Sequence, residues 1–245
     1  MNSMIRRFKK SFFALLACVS LIAVLFAVPA LADPSGARNL MILPHVESNG
    51  DFYTGLSLLN PGDTGLDVSL VAYGDKGRQV GEKVSLSLSS GARFISSVED
   101  IFGYEQARDI SWIELLHTGK LSAFGLMGNE DQLTRLKFFT GGSASLILPY
   151  VVSGDGLYTK LYLLNAGPDV ALVTLNAYDR EGNLLKSVEL EPPLPSGYKA
   201  IGSARSFFGA EASKATSWIE VVSDGELIGI GLVGSIDRLF SLPME

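Results

Sequence analysis

Apolar and polar side chains alternate in short segments along most of the chain. In the stretch from Leu66 to Leu70 the apolar residues stand at every second position, with Asp67 and Ser69 between them. A later stretch, 171–176, repeats this alternation. A period of two is typical of a β-strand with one buried face and one wet face. The pattern therefore predicts strands rather than amphipathic helices.

Turn-forming residues separate these segments at short intervals. They occupy positions 60–63, 74–77 and 118–119 in the first part of the chain, and similar turn-forming segments occur in the second part. Glycine, proline, asparagine and aspartate favour tight turns because of their backbone preferences. The spacing predicts antiparallel β-sandwiches, immunoglobulin-like or jelly-roll-like, with about seven or eight strands each. We expect an all-β protein with short helices only near 97–102 and 203–208.

The chain contains one long internal repeat. The word Ser-Trp-Ile-Glu begins at Ser111 and returns at Ser217, and its two tryptophans are the only ones in the sequence. Matching words flank it at a separation of 105 or 106 residues, for example Ile-Leu-Pro at 42–44 and at 147–149. Two copies of this length indicate tandem domains that arose by duplication rather than a solenoid.

The first 32 residues have the composition of an export signal. Four cationic residues precede an apolar run at 12–28, and Ala30-Leu31-Ala32 supplies a small-x-small cleavage pattern. A retained membrane anchor is the alternative, because this stretch is long enough to span a bilayer. Cleavage would remove Cys18, the only cysteine, and would lower the formal net charge from −6 to −10.

The boundary between the two copies falls in a run of small residues at 140–143. Such a run offers few side chains for packing and is typical of a linker. The sequence therefore predicts a signal peptide at 1–32, a first β-sandwich module at 33–142 and a second at 143–245.

Each tryptophan is expected to lie opposite a glycine. If 118–119 forms a two-residue turn, the strands on either side of it pair so that Trp112 faces Gly125. The same geometry in the second copy sets Trp218 opposite Gly231. A large aromatic ring across from a glycine restores a contact that the glycine cannot make.

A glutamate follows each tryptophan by two positions and shares its strand face. An exposed indole beside a carboxylate is typical of a sugar-binding surface, so ligand binding is a candidate role for these residues. The alternative is a structural clamp, with each indole covered by the Phe-Gly segment just upstream, since aromatic residues mostly contribute buried area. The repetition favours the clamp, because a structural requirement would arise in both copies. The candidate ligand-binding residues are Trp112, Glu114, Trp218 and Glu220.

Catalytic and metal-binding patterns are scarce. The two histidines are not repeated, since His45 corresponds to Tyr150 and His117 to Ser223. A duplicated histidine site is thereby excluded, whereas a site around His45 in the first module stays open. The sequence has no zinc-ligand spacing, nucleophile elbow or phosphate-binding loop. We therefore expect no enzyme activity, no metal and no cofactor, and isolated turn aspartates leave calcium binding open without supporting it.

The repeated segments resemble a known bacterial repeat. The run from Leu43-Pro44 to Ala72-Tyr73, with its parallel from Leu148-Pro149 to Ala177-Tyr178, is similar to a tandem β-sandwich repeat of exported bacterial proteins. The resemblance covers nearly all of both modules. It implies a periplasmic or extracellular location after cleavage following Ala32, and it carries over no catalytic residue.

These observations predict a non-enzymatic exported binding or structural module of the bacterial cell envelope. One alternative is a carbohydrate-binding protein that uses Trp112 and Trp218 or the groove between modules. A second is a hydrolase with a site in the first module only. A protein or a polysaccharide of the envelope is the expected partner. Nucleic acid is not expected, because an acidic surface repels phosphate, and membrane contact is expected only through an uncleaved signal.

Overall fold

The computed structural model describes residues 39–245, and β-strands dominate this part of the chain. The predicted signal peptide at 1–32, together with Cys18, lies outside the described residues. Every strand pairing within the described range is antiparallel. The all-β class predicted from the alternation is therefore confirmed.

The first half of the described chain contains eight strands and two short helices. Its strands are β1 (Asn39–Leu43), β2 (Tyr53–Leu59), β3 (Leu66–Tyr73), β4 (Gln79–Leu88), β5 (Arg93–Ser97), β6 (Trp112–His117), β7 (Ser122–Gly128) and β8 (Leu133–Lys137). Its helices are α1 (Val98–Phe102) and α2 (Tyr104–Ala107).

The second half contains seven strands and two short helices. Its strands are β9 (Ser143–Leu148), β10 (Tyr158–Asn165), β11 (Val173–Tyr178), β12 (Leu184–Glu189), β13 (Lys199–Ser203), β14 (Trp218–Gly234) and β15 (Leu239–Pro243). Its helices are α3 (Ala204–Phe208) and α4 (Ala210–Ala215).

Two four-stranded sheets form the first half. Their strand orders are β1-β6-β3-β4 and β5-β2-β7-β8. Leu43 and Ile113 from the first sheet share one buried cluster with Leu56 and Met127 from the second. The inward residues of the alternating strands therefore meet between two sheets, which is the packing of a sandwich.

The second half has the same two layers, joined through the long strand β14. The beginning of β14 pairs with β9 and β11, whereas its end pairs with β10 and β15. Leu148 of β9 packs directly over Gly231 near the end of β14, because a side-chain carbon at Gly231 would lie 2.6 Å from the Leu148 methyl group. The two ends of β14 thus belong to opposing layers.

The predicted pairing of tryptophan with glycine is wrong. Trp112 pairs with Tyr73 on β3, whereas Gly125 pairs with Leu56 on β2 and with Leu136 on β8. The turn after β6 does not close a hairpin, because β6 and β7 lie in different sheets and the chain crosses the sandwich between them. The same correction applies to the second copy.

In that copy, Trp218 pairs with Tyr178, and Gly231 pairs with Leu161 and Leu242. Gly125 and Gly231 make room for a side chain of the opposing layer and do not lie opposite a tryptophan in a hairpin. A side chain at Gly125 would meet the Leu43 methyl group of the opposing sheet at 3.2 Å.

The short helices begin where the sequence predicted them. The Ser97 hydroxyl accepts a hydrogen bond from the Asp100 backbone N–H at the start of α1, and Ser203 accepts one from Ser206 at the start of α3. A second short helix follows each of them, and neither was predicted.

The two halves pack against each other along an interface that we call the seam. Ile42 and Trp112 on the outer face of the β1-β6-β3-β4 sheet share a buried cluster with Leu164 of β10 and Ile228 of β14. The described residues, 39–245, accordingly belong to one compact unit. The division into separate domains at 142 and 143 stays a prediction. No helix within 39–245 is both long and apolar enough to span a membrane.

Candidate functional site

The first Ser-Trp-Ile-Glu segment contributes to a compact group of side chains on the outer face of β6. The indole of Trp112 stacks on Tyr73, with ring centroids 4.1 Å apart and an interplanar angle of 14°. The Tyr73 hydroxyl donates a hydrogen bond to Glu114 at 2.9 Å. Burial, with that carboxylate beside the hydroxyl, raises the pKa of Tyr73 to about 12, so the phenol stays protonated and keeps donating.

The second Ser-Trp-Ile-Glu segment forms the corresponding group of side chains on β14. Trp218 stacks on Tyr178 at 4.0 Å and 7°. Glu220 accepts hydrogen bonds from the Tyr178 hydroxyl and from the side-chain amide of Asn176, both at 3.1 Å. The cross-strand pairing of tryptophan with tyrosine is thus a property of both copies.

The two groups differ in what covers them. Trp112 is only 5% exposed, and its indole N–H donates to the Gly197 carbonyl of the second half at 3.2 Å. The covering element is therefore the second half of the chain rather than the upstream Phe-Gly segment. Trp218 is half-buried on an outer face. Ligand binding at Trp112, Glu114, Trp218 and Glu220 stays a prediction, and among the indoles only that of Trp218 is open to a ligand.

A polar cleft of about 250 Å³ opens at the seam and is lined by both halves. His45, 4% exposed, lies in the loop after β1, and its ring packs on that of Tyr162 from β10 with centroids 3.9 Å apart. Lys199, at the start of β13, places its Nζ 3.3 Å from His45 Nδ1 and donates to the Ser111 carbonyl at 2.7 Å. An imidazole and an amine from opposite halves are thereby buried together.

His45 is neutral in this environment. Burial, with the charge of Lys199 adding to it, lowers the pKa of His45 from 6.5 to about 4. The Glu47 carboxylate beside Nε2 can only accept, so the imidazole proton faces it from Nε2 and Nδ1 faces Lys199 Nζ. The distance from Nε2 to the nearer Glu47 oxygen is 3.5 Å, which is too long for a good hydrogen bond. Within residues 39–245, His45 Nε2 has no closer hydrogen-bond partner.

Lys199 is the second perturbed group of the cleft. Burial lowers its pKa from 10.5 to about 7, while Asp75, 3.9 Å away, and Glu47 act in the opposite direction. Its side chain is only 1% exposed. The imidazole of His45 lowers the pKa of Glu47, so this carboxylate stays ionised at the cleft mouth.

The rest of the cleft lining mixes donors and acceptors. The Ser48 hydroxyl is buried without a hydrogen-bond partner. Lys160 and Arg108 supply cations to the lining, and Asp109 supplies a further carboxylate. The formal charges of the lining nearly cancel, while hydrogen-bonding groups of both kinds remain.

The sequence singled out His45 but not the residues around it. Lys199, Tyr162 and Glu47 carry no motif; Glu47 lies in the same loop as His45, whereas Lys199 and Tyr162 reach His45 only through the docking of the two halves. One signal could have identified the cleft, because its residues differ between the copies: Lys199 corresponds to Arg93 and Tyr162 to Ser57. Among residues 39–245 no group of three or more His, Cys, Asp or Glu side chains is arranged to hold a metal.

Comparisons with known proteins add little to this picture. No protein family matches the chain, and no curated protein matches it. A glycosyl hydrolase family 2 member from Bacteroides cellulosilyticus aligns with 89% of this chain at 9% identity and a TM-score of 0.22. Allantoicase aligns with 85% at 12% identity and a TM-score of 0.20. The chain spans 30% of the first of these proteins and 74% of the second. At such TM-scores neither likeness carries an argument about fold or function.

Proposed function

We propose that the chain is a non-enzymatic binding module exported to the bacterial cell envelope, with its ligand site in the cleft at the seam. The observation that carries this proposal is the buried Nε2 of His45 in a polar cleft, whose nearest acceptor within residues 39–245 is a Glu47 carboxylate oxygen at the long distance of 3.5 Å. Buried polar atoms are almost always satisfied, and an unsatisfied one costs about 1–3 kcal/mol. A ligand acceptor that displaces part of the lining and reaches this atom would recover that cost. Export rests on the composition of residues 1–32.

The ligand class that fits the cleft best is a single sugar unit of an envelope polysaccharide. Sugar hydroxyls both donate and accept, as the lining does with the His45 N–H, the Ser48 hydroxyl and the Glu47 carboxylate. A strongly anionic ligand would meet the carboxylates of Glu47 and Asp109, and a strongly cationic one would meet Lys160. The volume of about 250 Å³ suits one small ring rather than a longer chain.

The contacts in the cleft support binding over catalysis. The Lys199 amine is enclosed and already donates to the Ser111 carbonyl, so it is poorly placed to attack a substrate. The hydroxyl of Ser111 hydrogen-bonds Asp75, and neither it nor the Ser48 hydroxyl hydrogen-bonds His45. A serine hydroxyl paired with the His45 imidazole is therefore missing from the described lining.

Titration calorimetry with a panel of neutral hexoses, N-acetylhexosamines and uronic acids tests the proposal. His45→Phe keeps a ring on Tyr162 but removes the free N–H, and we expect it to weaken binding about 10- to 100-fold. The matched control is Tyr150→Phe at the corresponding exposed position of the other copy, which should bind as the wild type does.

Three results would count against the proposal. Binding of no sugar at millimolar concentration would contradict it, and so would unchanged affinity in His45→Phe. A loss of binding in Trp218→Ala but not in His45→Phe would move the site to the outer face of β14. Turnover of chromogenic glycosides or esters that disappears in His45→Phe would favour the hydrolase alternative.

A further inference from the structure

Both sides of the seam have an uncovered counterpart elsewhere on the molecule. One side of the seam is the covered face, the outer face of β1, β6 and β3, with Ile42, Trp112 and Tyr73. Its counterpart is the open face, the outer face of β9, β14 and β11. The open face carries the corresponding residues Ile147, Trp218 and Tyr178.

The other side of the seam is the docking face, formed by the outer residues of β10, β13 and the end of β14, which include Leu164, Lys199 and Ile230. Its counterpart in the first half is the free docking face on β2, β5 and β7. The free docking face carries Leu59, Arg93 and Phe124 at the corresponding positions.

The exposures show that no part of the chain between residues 39 and 245 covers these counterparts. Ile42 is 5% exposed in the seam, whereas Ile147 on the open face is 44% exposed. Leu164 is fully buried in the seam, whereas Leu59 on the free docking face is 36% exposed. Each free face therefore presents apolar side chains at the positions that its counterpart buries.

We propose that the free docking face of one molecule packs onto the open face of a second copy of this chain, repeating the seam between molecules. The partner is argued from continuity with the seam, because the same molecule presents both halves of that contact. Such a contact joins two different surfaces, so it is heterologous and propagates head to tail.

The two free faces carry opposite charges at Arg93 and Glu220. Arg93 lies on the free docking face and Arg135 lies beside it on β8, over the Phe124 ring at 5.4 Å, and neither arginine forms an ion pair within the described residues. Glu220 on the open face is held by Tyr178 and Asn176 and has no cationic partner among residues 39–245. This difference in sign favours the approach of the two faces over a distance, without fixing a direct ion pair.

One seam contact cannot be repeated. In the seam Lys199 approaches Asp75, whereas the corresponding pair between molecules is Arg93 with Arg180. Like charges at this point weaken the contact, so association is expected to be reversible and to depend on protein concentration and on salt.

Sedimentation velocity of the full chain from about 10 µM to about 1 mM tests the proposal. The wild-type average mass is expected to rise with concentration. Ile147→Arg on the open face and Leu59→Arg on the free docking face should each remain monomeric. An equimolar mixture of these two variants keeps one intact surface of each kind and should form a dimer that does not grow further.

Ile236→Arg is the matched control, since Ile236 is an apolar residue, 93% exposed, in the turn between β14 and β15. It should associate as the wild type does. Thermal unfolding of each variant shows whether the fold is retained. A wild type that stays monomeric up to about 1 mM would overturn the proposal.

Undiminished association of Leu59→Arg would also overturn it, because that result indicates a symmetric contact between two open faces. Sugar binding in the cleft uses neither free face, so the outcome is independent of the proposed function.

Discussion

The covered face and the open face carry the same side chains in the same register, yet only one of them is buried. Trp112 stacks on Tyr73 and is 5% exposed, whereas Trp218 stacks on Tyr178 and is half-buried. The local geometry is nearly identical because both depend on the same cross-strand pairing. The difference shows that the burial of these tryptophans is decided by a neighbouring surface and not by their own strands.

Polar residues of the seam differ from their counterparts in the other copy both in identity and in exposure. His45 is 4% exposed at the seam, whereas Tyr150 at the corresponding position is 55% exposed. Shared residues such as Trp112 and Leu164 form the apolar part of the seam as well as the interior of each half. The residues that differ between the copies, such as His45 and Lys199, line the polar cleft of the seam.

The largest expected difference between the two faces comes from removing each indole. Trp112→Ala should lower the free energy of unfolding by about 3–5 kcal/mol, because it leaves a cavity in the seam. Trp218→Ala should cost only about 1 kcal/mol, chiefly the lost stacking on Tyr178. Urea denaturation of the two variants measures both values, and equal losses would contradict the comparison.

A pH dependence is expected at the seam. Because the pKa of His45 falls from 6.5 to about 4 on folding, the unfolded chain binds a proton between these values that the folded chain does not. The part of the free energy of unfolding that depends on His45 is therefore fully present above pH 6.5 and is lost as the pH falls towards 4, by roughly 3 kcal/mol. The groups facing His45 are Lys199, Glu47 and Lys160.

Urea denaturation at pH 7 and at pH 4.5 measures this effect. His45→Phe should reduce the loss of stability between the two pH values, whereas Tyr150→Phe should not change it. A loss as large in His45→Phe as in the wild type would show that other groups cause the acid sensitivity.

A smaller difference is expected at the glycines beside the two tryptophan groups. Gly77 and Gly182 both have a positive φ, 66° and 87°, so alanine costs about 1–2 kcal/mol at either position. Only at Gly77 would the new methyl group meet another backbone, that of Gly197 at 3.1 Å, whereas nothing lies within 4 Å at Gly182. Gly77→Ala should therefore be less stable than Gly182→Ala by a further 1–2 kcal/mol or so. Thermal or urea unfolding compares them, and equal stabilities would argue against close approach at the seam.

The smallest effect is expected from Trp→Phe substitutions, which should leave the fold intact and allow the solvent accessibility of the remaining indole to be measured. Trp218→Phe keeps only Trp112, and Trp112→Phe keeps only Trp218. Acrylamide should quench the fluorescence of the remaining Trp112 less than that of the remaining Trp218, because the second half covers Trp112. The opposite order would refute the assignment of covered and open faces.

The amino-acid sequence was sufficient to predict the features that depend on neighbours along the chain. Alternating apolar residues predicted strands such as β3 because a side chain on a strand points to the same face as the residue two positions away. Ser97 and Ser203 marked helix starts because a hydroxyl satisfies a free backbone N–H. The face shared by Trp112 and Glu114 followed from the same alternation, with Ile113 on the buried side.

The way in which the strands and the two halves meet could not be predicted from local sequence and is known from the folded structure. The turn after β6 permits either a hairpin or a crossing to the opposing sheet, and the choice depends on whether the next strand buries its apolar face across the core. The cleft depends on contacts such as the hydrogen bond from Trp112 to Gly197, which are 85 residues apart. No local preference encodes such a contact, because it forms only when two complete surfaces exclude water together.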